Sequence, residues 1–109
     1  MTDKMKSRNV FEAIADPTRR ELIHILSESE AVPLYKLTVH FDMGRTAVTK
    51  HLTILWEADL VKKSKVGRET HYQLNPIPLK EVSDWVTYYQ SFWENRMQAL
   101  QEVLEEENK

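Results

Sequence analysis

The 109-residue chain contains no cysteine, so disulfide bonds, thiolate metal sites and thiol nucleophiles are excluded. No apolar run approaches the ~18 residues that a transmembrane helix requires, and no signal-peptide pattern opens the chain. Internal repeats, low-complexity tracts and Gly/Ser-rich linkers are also missing. We therefore expect a cytoplasmic protein with no membrane partner.

The residue patterns that enzymes use are absent as well. No nucleophile and base pair, phosphate-cradling glycine loop or group of clustered carboxylates is apparent. His24, His40 and His71 are scattered over different predicted elements, which argues against a zinc site. We expect no catalytic residue, no metal and no cofactor.

The composition, 41% hydrophobic and 29% charged, is that of a folded globular protein, and the length suits one domain over residues 1–109. The net charge of −2 conceals a polarity along the chain. Residues 44–72 contain six bases and three acids, a net +3, whereas residues 76–109 contain three bases and seven acids, a net −4. The basic part is where a nucleic acid would bind.

The most informative segment spans residues 44–58. On a helical wheel, one of its sides is apolar and the other presents hydroxyls and a cation. The apolar side holds Ala47, Val48, Leu52, Ile54, Leu55 and Ala58; the polar side holds Thr46, Thr49, Lys50, Thr53 and Glu57. Hydroxyl and ammonium groups can meet phosphates and base edges in the major groove of DNA, which is wide enough to admit one helix. The pattern predicts a recognition helix.

Two helices are predicted within residues 7–27. The first covers residues 7–15, and the second runs to about Ser27. Asp16 is the expected N-cap of the second helix, and Pro17 suits its first position, where a missing N–H costs nothing.

A helix-turn-helix is predicted over residues 33–58. A short third helix follows Pro33, and Gly44 is the expected N-cap of the recognition helix.

A β-hairpin is predicted over residues 60–74. Its two-residue loop, Gly67-Arg68, suits a type II′ turn, and this loop sets Lys63 opposite Tyr72 while Lys62 lies on the other face. Lysines on an edge strand deter aggregation, and the same lysines would suit a wing that lies along a DNA duplex.

The last predicted helix, residues 76–105, has an apolar seam at steps of three and four residues. The seam runs through Leu79, Val82, Val86, Tyr89, Trp93, Met97, Leu100 and Leu104, and Trp85 and Phe92 widen it. Each aromatic ring buries ~150–250 Å², which is much surface to hide against so small a body. We expect a second copy of the chain to cover part of it, and an effector pocket is the alternative use of these aromatic residues.

Several segments together resemble the ArsR-type family of bacterial transcriptional repressors. They are VFEAIADPTRREL (10–22), AVTKHL (47–52), ADLV (58–61), GRE (67–69) and YQL (72–74). The resemblance runs from about Val10 to Leu104. It implies a mostly α fold with a small β-hairpin, a winged helix-turn-helix whose first and last helices form a homodimer interface. It also implies repression through an inverted-repeat operator.

These implications assign residues to two surfaces. For DNA binding they are Arg45, Thr46, Thr49, Lys50, Thr53, Lys62, Lys63, Lys65 and Arg68. For the dimer interface they are Val10, Phe11, Val82, Trp85, Val86, Tyr89, Trp93, Met97 and Leu100.

The chain departs from the family pattern in places. Many members sense metals through cysteines near the third helix or through Asp and His ligands on the last helix. This chain has no cysteine and no histidine in its last helix, so it looks most like the metal-independent, autorepressor-like branch. Gly44 stands where serine is usual, and Asp59 where glycine is usual.

Three side chains have two interpretations each, and a fourth has none. Arg19 and Arg20 suit either a backbone carbonyl or acidic partner, or DNA; His51 suits either a bonded neighbour or a phosphate. The role of Trp56 is open.

The expected function is a sequence-specific repressor without enzymatic activity. The alternatives are a sensor gated by a metal or small molecule, and a winged-helix module that binds protein.

Overall fold

The computed structural model describes residues 8–108 of the chain. The chain divides into two compact units, residues 1–79 and residues 80–109. The prediction that residues 1–109 form one domain stays a prediction. Within residues 8–108, no helix is both long enough and apolar enough to cross a membrane.

The first helix is shorter than predicted. Helix α1 spans Val10–Ala13, because Asn9 lies in an extended conformation and its Oδ1 accepts a hydrogen bond from the N–H of Phe11 at 2.7 Å. The prediction that the helix includes residues 8 and 9 is therefore wrong. Ser7, the predicted first residue, lies outside the described residues.

Helix α2 spans Pro17–Ser27 and confirms its predicted start. Asp16 is the N-cap, and its Oδ2 accepts from the N–H of Arg19 at 3.0 Å. Leu22 and Leu26 form the buried face of this helix.

Helix α3 spans Leu34–Thr38, and helix α4, the predicted recognition helix, spans Arg45–Glu57. Gly44 is the N-cap of α4 and supplies no side-chain hydrogen bond. Val48, Leu52 and Leu55 are fully buried, which confirms the central part of the predicted apolar side.

Three strands form an antiparallel sheet in the order β1-β3-β2, where β1 is Val32–Pro33, β2 is Val61–Val66 and β3 is Glu69–Leu74. The predicted hairpin register is confirmed, with Lys63 opposite Tyr72. Gly67 has a φ of +65°, as the first central residue of a type II′ turn requires. The sequence did not reveal β1, because two residues are too short to show any periodicity.

The core of the first unit joins α2, α3, α4 and the sheet. Its largest fully buried side chains are Leu22, Leu26, Leu37, Val48, Leu52, Leu55, Leu60 and Val61. At the end of α4 the chain turns through Asp59, whose φ is 62°, a conformation that aspartate tolerates better than most residues. The side chain of Asn75 then donates to the carbonyl of Asp59 at 2.8 Å, which ties the end of the hairpin to the end of α4.

The second unit consists of helix α5, Leu79–Glu107, which begins in the last residue of the first unit. With 29 residues, it extends for about 43 Å. None of its described residues is buried, and its rings contact one another, as Trp85 and Tyr89 do at a centroid distance of 5.1 Å.

Candidate nucleic-acid interface

The outer face of α4 forms an open groove of about 530 Å³. Five of its lining residues are those predicted to read DNA: Arg45, Thr46, Thr49, Lys50 and Thr53. Arg45, Thr46 and Lys50 are exposed and the other two are half-buried. The structure thus brings the predicted hydroxyls and cations of α4 together on one concave surface.

Two details of this face differ from the prediction. Ile54 was expected on the apolar side, but it is half-buried and lines the groove, because it lies one helical turn after Lys50 at the edge of the buried stripe. The hydroxyl of Thr53 donates to the backbone carbonyl of Thr49 at 2.9 Å, so Thr53 presents mainly its methyl group and its acceptor lone pairs.

Arg8 also lines the groove, and the sequence pattern did not reveal it. Its Nε lies 2.9 Å from Oε1 of Glu57, which is the last residue of α4, and its Nη1 lies 2.9 Å from Oε1 of Glu12. These two hydrogen bonds raise the pKa of the Arg8 guanidinium above its ordinary value. Arg8 and Glu57 are 49 positions apart in the sequence, so no local pattern could have paired them.

The wing presents its cations on both faces of the hairpin. Lys62, Lys63, Lys65 and Arg68 are all exposed. Because side chains alternate along a strand, Lys63 and Lys65 share the face of Val61, and Lys62 points the other way.

Lys63 also gives Trp56 a role that the sequence left open. The Nζ of Lys63 lies 4.1 Å from the centroid of a Trp56 ring, a cation–π contact between the wing and the recognition helix. Lys63 is therefore engaged with α4 as well as exposed.

The tip of the wing comes close to the start of α4. Arg68 and Arg45 line one pocket of about 250 Å³ together with Tyr35 and Thr38 of α3. Burial raises the pKa of the nearby Tyr72 hydroxyl, and the positive charge of Arg45 acts in the opposite direction. Glu69 and Thr70 of β3 line the same pocket, so two guanidinium groups, one carboxylate and three hydroxyls meet between the start of α4 and the tip of the wing.

Arg19 and Arg20 bind backbone carbonyls, which confirms the structural interpretation. The Nε of Arg19 donates to the carbonyl of Ala13 at 2.7 Å, and Nη1 of Arg20 donates to the carbonyl of Ile14 at 2.7 Å. Both arginines thereby fasten α2 to the end of α1.

His51 joins this arrangement to the recognition helix. Its Nδ1 lies 3.3 Å from Nη1 of Arg19 and 3.9 Å from Oδ2 of Asp16, and its side chain is 23% exposed. The prediction of a half-buried, bonded histidine is confirmed. Burial raises the pKa of Asp16, but the N–H of Arg19, the charges of Arg19 and His51, and the N–H of Thr18 outweigh it, so this pKa lies below its ordinary value.

The remaining histidines lie apart. His24 is within 3.9 Å of Glu28, and His71 is 3.0 Å from Glu69. Across residues 8–108, no group of three or more His, Asp or Glu side chains is placed to hold a metal ion.

The predicted dimer residues are exposed on α5 but not on α1. On α5, Trp85, Val86, Tyr89, Trp93, Met97 and Leu100 are between 44% and 62% exposed, and Val82 is half-buried. On α1, Phe11 is half-buried and Val10 is only 2% exposed. The side chain of Val10 belongs to the core of its own unit, and its assignment to the dimer interface stays a prediction.

A short helix, a turn, a helix with a polar, cationic outer face, and a cationic hairpin define a winged helix-turn-helix DNA-binding protein. Comparison with known proteins agrees. Residues 16–63 match the family described as bacterial regulatory protein, arsR family.

Two named relatives align with this chain over more than half of their own lengths. The transcriptional repressor SdpR of Bacillus subtilis (strain 168) is 31% identical over 78 residues, 72% of this chain and 86% of the relative. The arsenical resistance operon repressor of Escherichia coli (strain K12) is 31% identical over 67 residues, 62% of this chain and 57% of the relative.

Solved structures show the same fold. The crystal structure of an ArsR family transcriptional regulator has a TM-score of 0.71 at 29% identity and covers 82% of this chain and 91% of its own. That of a possible transcriptional regulator for arsenical resistance has a TM-score of 0.68 at 34% identity, with coverages of 84% and 95%.

The chain belongs to the ArsR family of winged-helix, DNA-binding transcriptional repressors. The relatives named above are transcriptional repressors and regulators.

Proposed function

We propose that this protein represses transcription as a homodimer that binds an inverted-repeat operator in a sequence-specific manner. The observation that supports this most is the groove on α4, because it gathers Arg45, Thr46, Thr49, Lys50 and Thr53 on the outer face of a helix whose inner face is buried. Such a face can enter the major groove, where an arginine or lysine pairs with guanine and hydroxyls bind phosphates or base edges.

The wing extends the same surface. Lys62, Lys63, Lys65 and Arg68 are exposed cations on the hairpin, and we assign them to the phosphate backbone beside the major groove. We assign Arg68, at the tip, to the adjacent minor groove. Lys63 also fixes the angle of the wing through its contact with Trp56.

The exposed seam of α5 supports a homodimer. Val82, Val86, Tyr89, Trp93 and Met97 recur at steps of three and four residues, the spacing that pairs one helix with another. Most of these side chains are about half exposed, and a continuous apolar stripe of this size marks an interaction surface. A two-fold dimer then places two α4 helices in half-sites about one helical turn, ~34 Å, apart.

We further propose that repression needs neither catalysis nor a bound metal. The chain has no cysteine and α5 has no histidine, so neither of the metal-ligand sets associated with this family is available. Steric exclusion of RNA polymerase from the operator is sufficient for repression. Since the target is chromosomal DNA, we place the protein in the cytoplasm.

Selection of binding sites from random duplexes tests the DNA-binding proposal. The selected site should be an inverted repeat, and Thr49→Ala or Lys50→Ala should weaken its binding at least tenfold, because each loss occurs in both half-sites. Loss of one phosphate contact per subunit lowers the slope of log K against log salt by about 1.8. Lys80→Ala on α5 removes the same charge outside the interface and should leave both quantities unchanged. Unaltered binding by both α4 variants would refute the proposal.

Sedimentation at micromolar concentration tests the dimer. The wild type should sediment at twice the chain mass, and Trp93→Glu should release monomers because it places a charge in the seam. Ser91→Glu adds the same charge on the opposite side of α5 and should remain dimeric. A wild type that is monomeric throughout would refute the dimer.

A further inference from the structure

The groove on α4 contains one acid among its described lining residues, and that acid is paired. Glu57 lies at the end of α4, 29% exposed, with its Oε1 2.9 Å from Nε of Arg8. Every other charged lining residue, Arg8, Arg45 and Lys50, is a cation. A carboxylate on a surface that receives phosphates is unfavourable unless its charge is compensated.

Two carboxylates share the guanidinium of Arg8. Its guanidinium bridges Glu57 and Glu12, and the group of three therefore has a net charge of −1. Glu12 is 58% exposed and is not among the lining residues of the groove, whereas Arg8 and Glu57 both are. An approaching phosphate and Glu57 consequently compete for the same guanidinium.

We propose that Arg8 is a further DNA-contacting residue and that Glu57 restrains it. In the free protein Arg8 is bound to Glu57; in the complex it exchanges this carboxylate for a phosphate of the duplex beyond the end of α4. This inference rests on the proposed DNA-binding function. It extends the contact surface from the recognition helix and the wing to Arg8, two positions before the start of α1.

The geometry favours this exchange in two respects. Arg8 is 38% exposed and its bond to Glu57 is only partly buried. The guanidinium can therefore turn from one partner to another without leaving a fully buried site. Arginine also binds phosphate through the same forked donors with which it binds carboxylate, so a phosphate can replace Glu57 without loss of geometry. The exchange lowers the net gain in affinity, because one ion pair must break for another to form.

Four variants test the exchange: Glu57→Gln, Arg8→Met, the double variant, and Glu102→Gln, which removes an equal charge on α5. On the selected duplex, Glu57→Gln should bind three- to tenfold more tightly with a steeper salt dependence, and Arg8→Met more weakly with a slope reduced by about 1.8 per dimer. The double variant should bind more tightly than Arg8→Met, because Glu57 is uncompensated once Arg8 is removed, but less tightly than Glu57→Gln and with the reduced slope of Arg8→Met. Glu102→Gln should match the wild type.

Elution from immobilised heparin, a sulfated polyanion, provides a readout that needs no operator. Glu57→Gln should elute at higher salt than the wild type, Arg8→Met at lower salt, and the double variant at lower salt than Glu57→Gln. If no duplex is bound by the wild type, the proposed function fails, and heparin elution alone decides the role of Arg8. Equal elution and equal duplex affinity of Arg8→Met and the wild type would overturn the inference. So would a double variant that equals Glu57→Gln in duplex affinity and in heparin elution, because Arg8 would then contribute nothing once Glu57 is removed.

Discussion

Replacement of Arg19 should destabilise the fold far more than replacement of its neighbour Arg20. Arg19 donates from Nε to the carbonyl of Ala13 at 2.7 Å, reaches the carbonyl of Glu12 at 3.4 Å, and lies 3.3 Å from Nδ1 of His51. It therefore connects α1, α2 and α4. Arg20 is exposed and donates once, to the carbonyl of Ile14.

The expected magnitude follows from these contacts. A hydrogen bond from a charged donor contributes ~1.5–3 kcal/mol when buried and less when partly exposed. Only the short bond to Ala13 is strong, and the two longer contacts add little, so Arg19→Ala should cost ~2 kcal/mol. Arg20→Ala should cost ~0.5 kcal/mol, as exposed polar contacts do. For a domain of this size, ~2 kcal/mol lowers the Tm by about 10 °C.

Thermal unfolding followed by circular dichroism measures the difference. All variants must be compared at one protein concentration, because the stability of the proposed dimer would depend on concentration. Arg19→Lys is the informative third variant: it keeps the charge but not the forked donors, so it should remain close to Arg19→Ala. A Tm for Arg19→Ala within 2 °C of that for Arg20→Ala would refute the connecting role of Arg19.

Three further predictions concern the core, the N-cap and the wing. Leu52→Ala, at a fully buried position of α4, should cost ~3 kcal/mol, seen in urea as a lower midpoint with an unchanged m-value. Asp16→Asn keeps a capping side chain but removes a carboxylate whose pKa is depressed in the fold. Its stability deficit should therefore be present near pH 7 and vanish as the pH falls below about 4, and a deficit that persists at pH 2 would contradict this. Gly67→Ala should cost ~1 kcal/mol for its φ of +65° alone, because an added Cβ meets no atom within 4 Å; Gly67→Asn should cost less, and equal losses would count against this account.

The recognition helix could be predicted from the sequence because its pattern is local. Its buried residues Val48, Leu52 and Leu55 recur at the helical period, and the polar residues lie between them. The hairpin was equally accessible, since a two-residue loop with glycine in first position determines which residues of the two strands face each other. The position of Gly67 is therefore sufficient to set Lys63 opposite Tyr72.

The unpredicted features depend on contacts between distant parts of the chain. Strand β1 exists only because Val32 pairs with Tyr72, forty residues later, and two residues leave no periodic trace. The contact between Lys63 and Trp56 crosses from the wing to the helix and depends on how the two elements pack. Wheel geometry also misplaced Ile54, because a wheel treats each face as uniform whereas only the sector against the core is buried.

The pair of Arg8 and Glu57 shows what this distinction means for function. Read locally, Glu57 is a charge that weakens a DNA-binding helix, and Arg8 is a cation of the first predicted helix that was assigned to neither surface. Once folded, they form one ion pair inside the same groove as Lys50. The charge that DNA meets on this surface is therefore a property of the packed chain, set by which cations are already engaged. Counting the charges of residues 44–72 gives the correct sign of the surface, but it assigns too much repulsion to the end of α4, because it includes Glu57 and omits the arginine that compensates it.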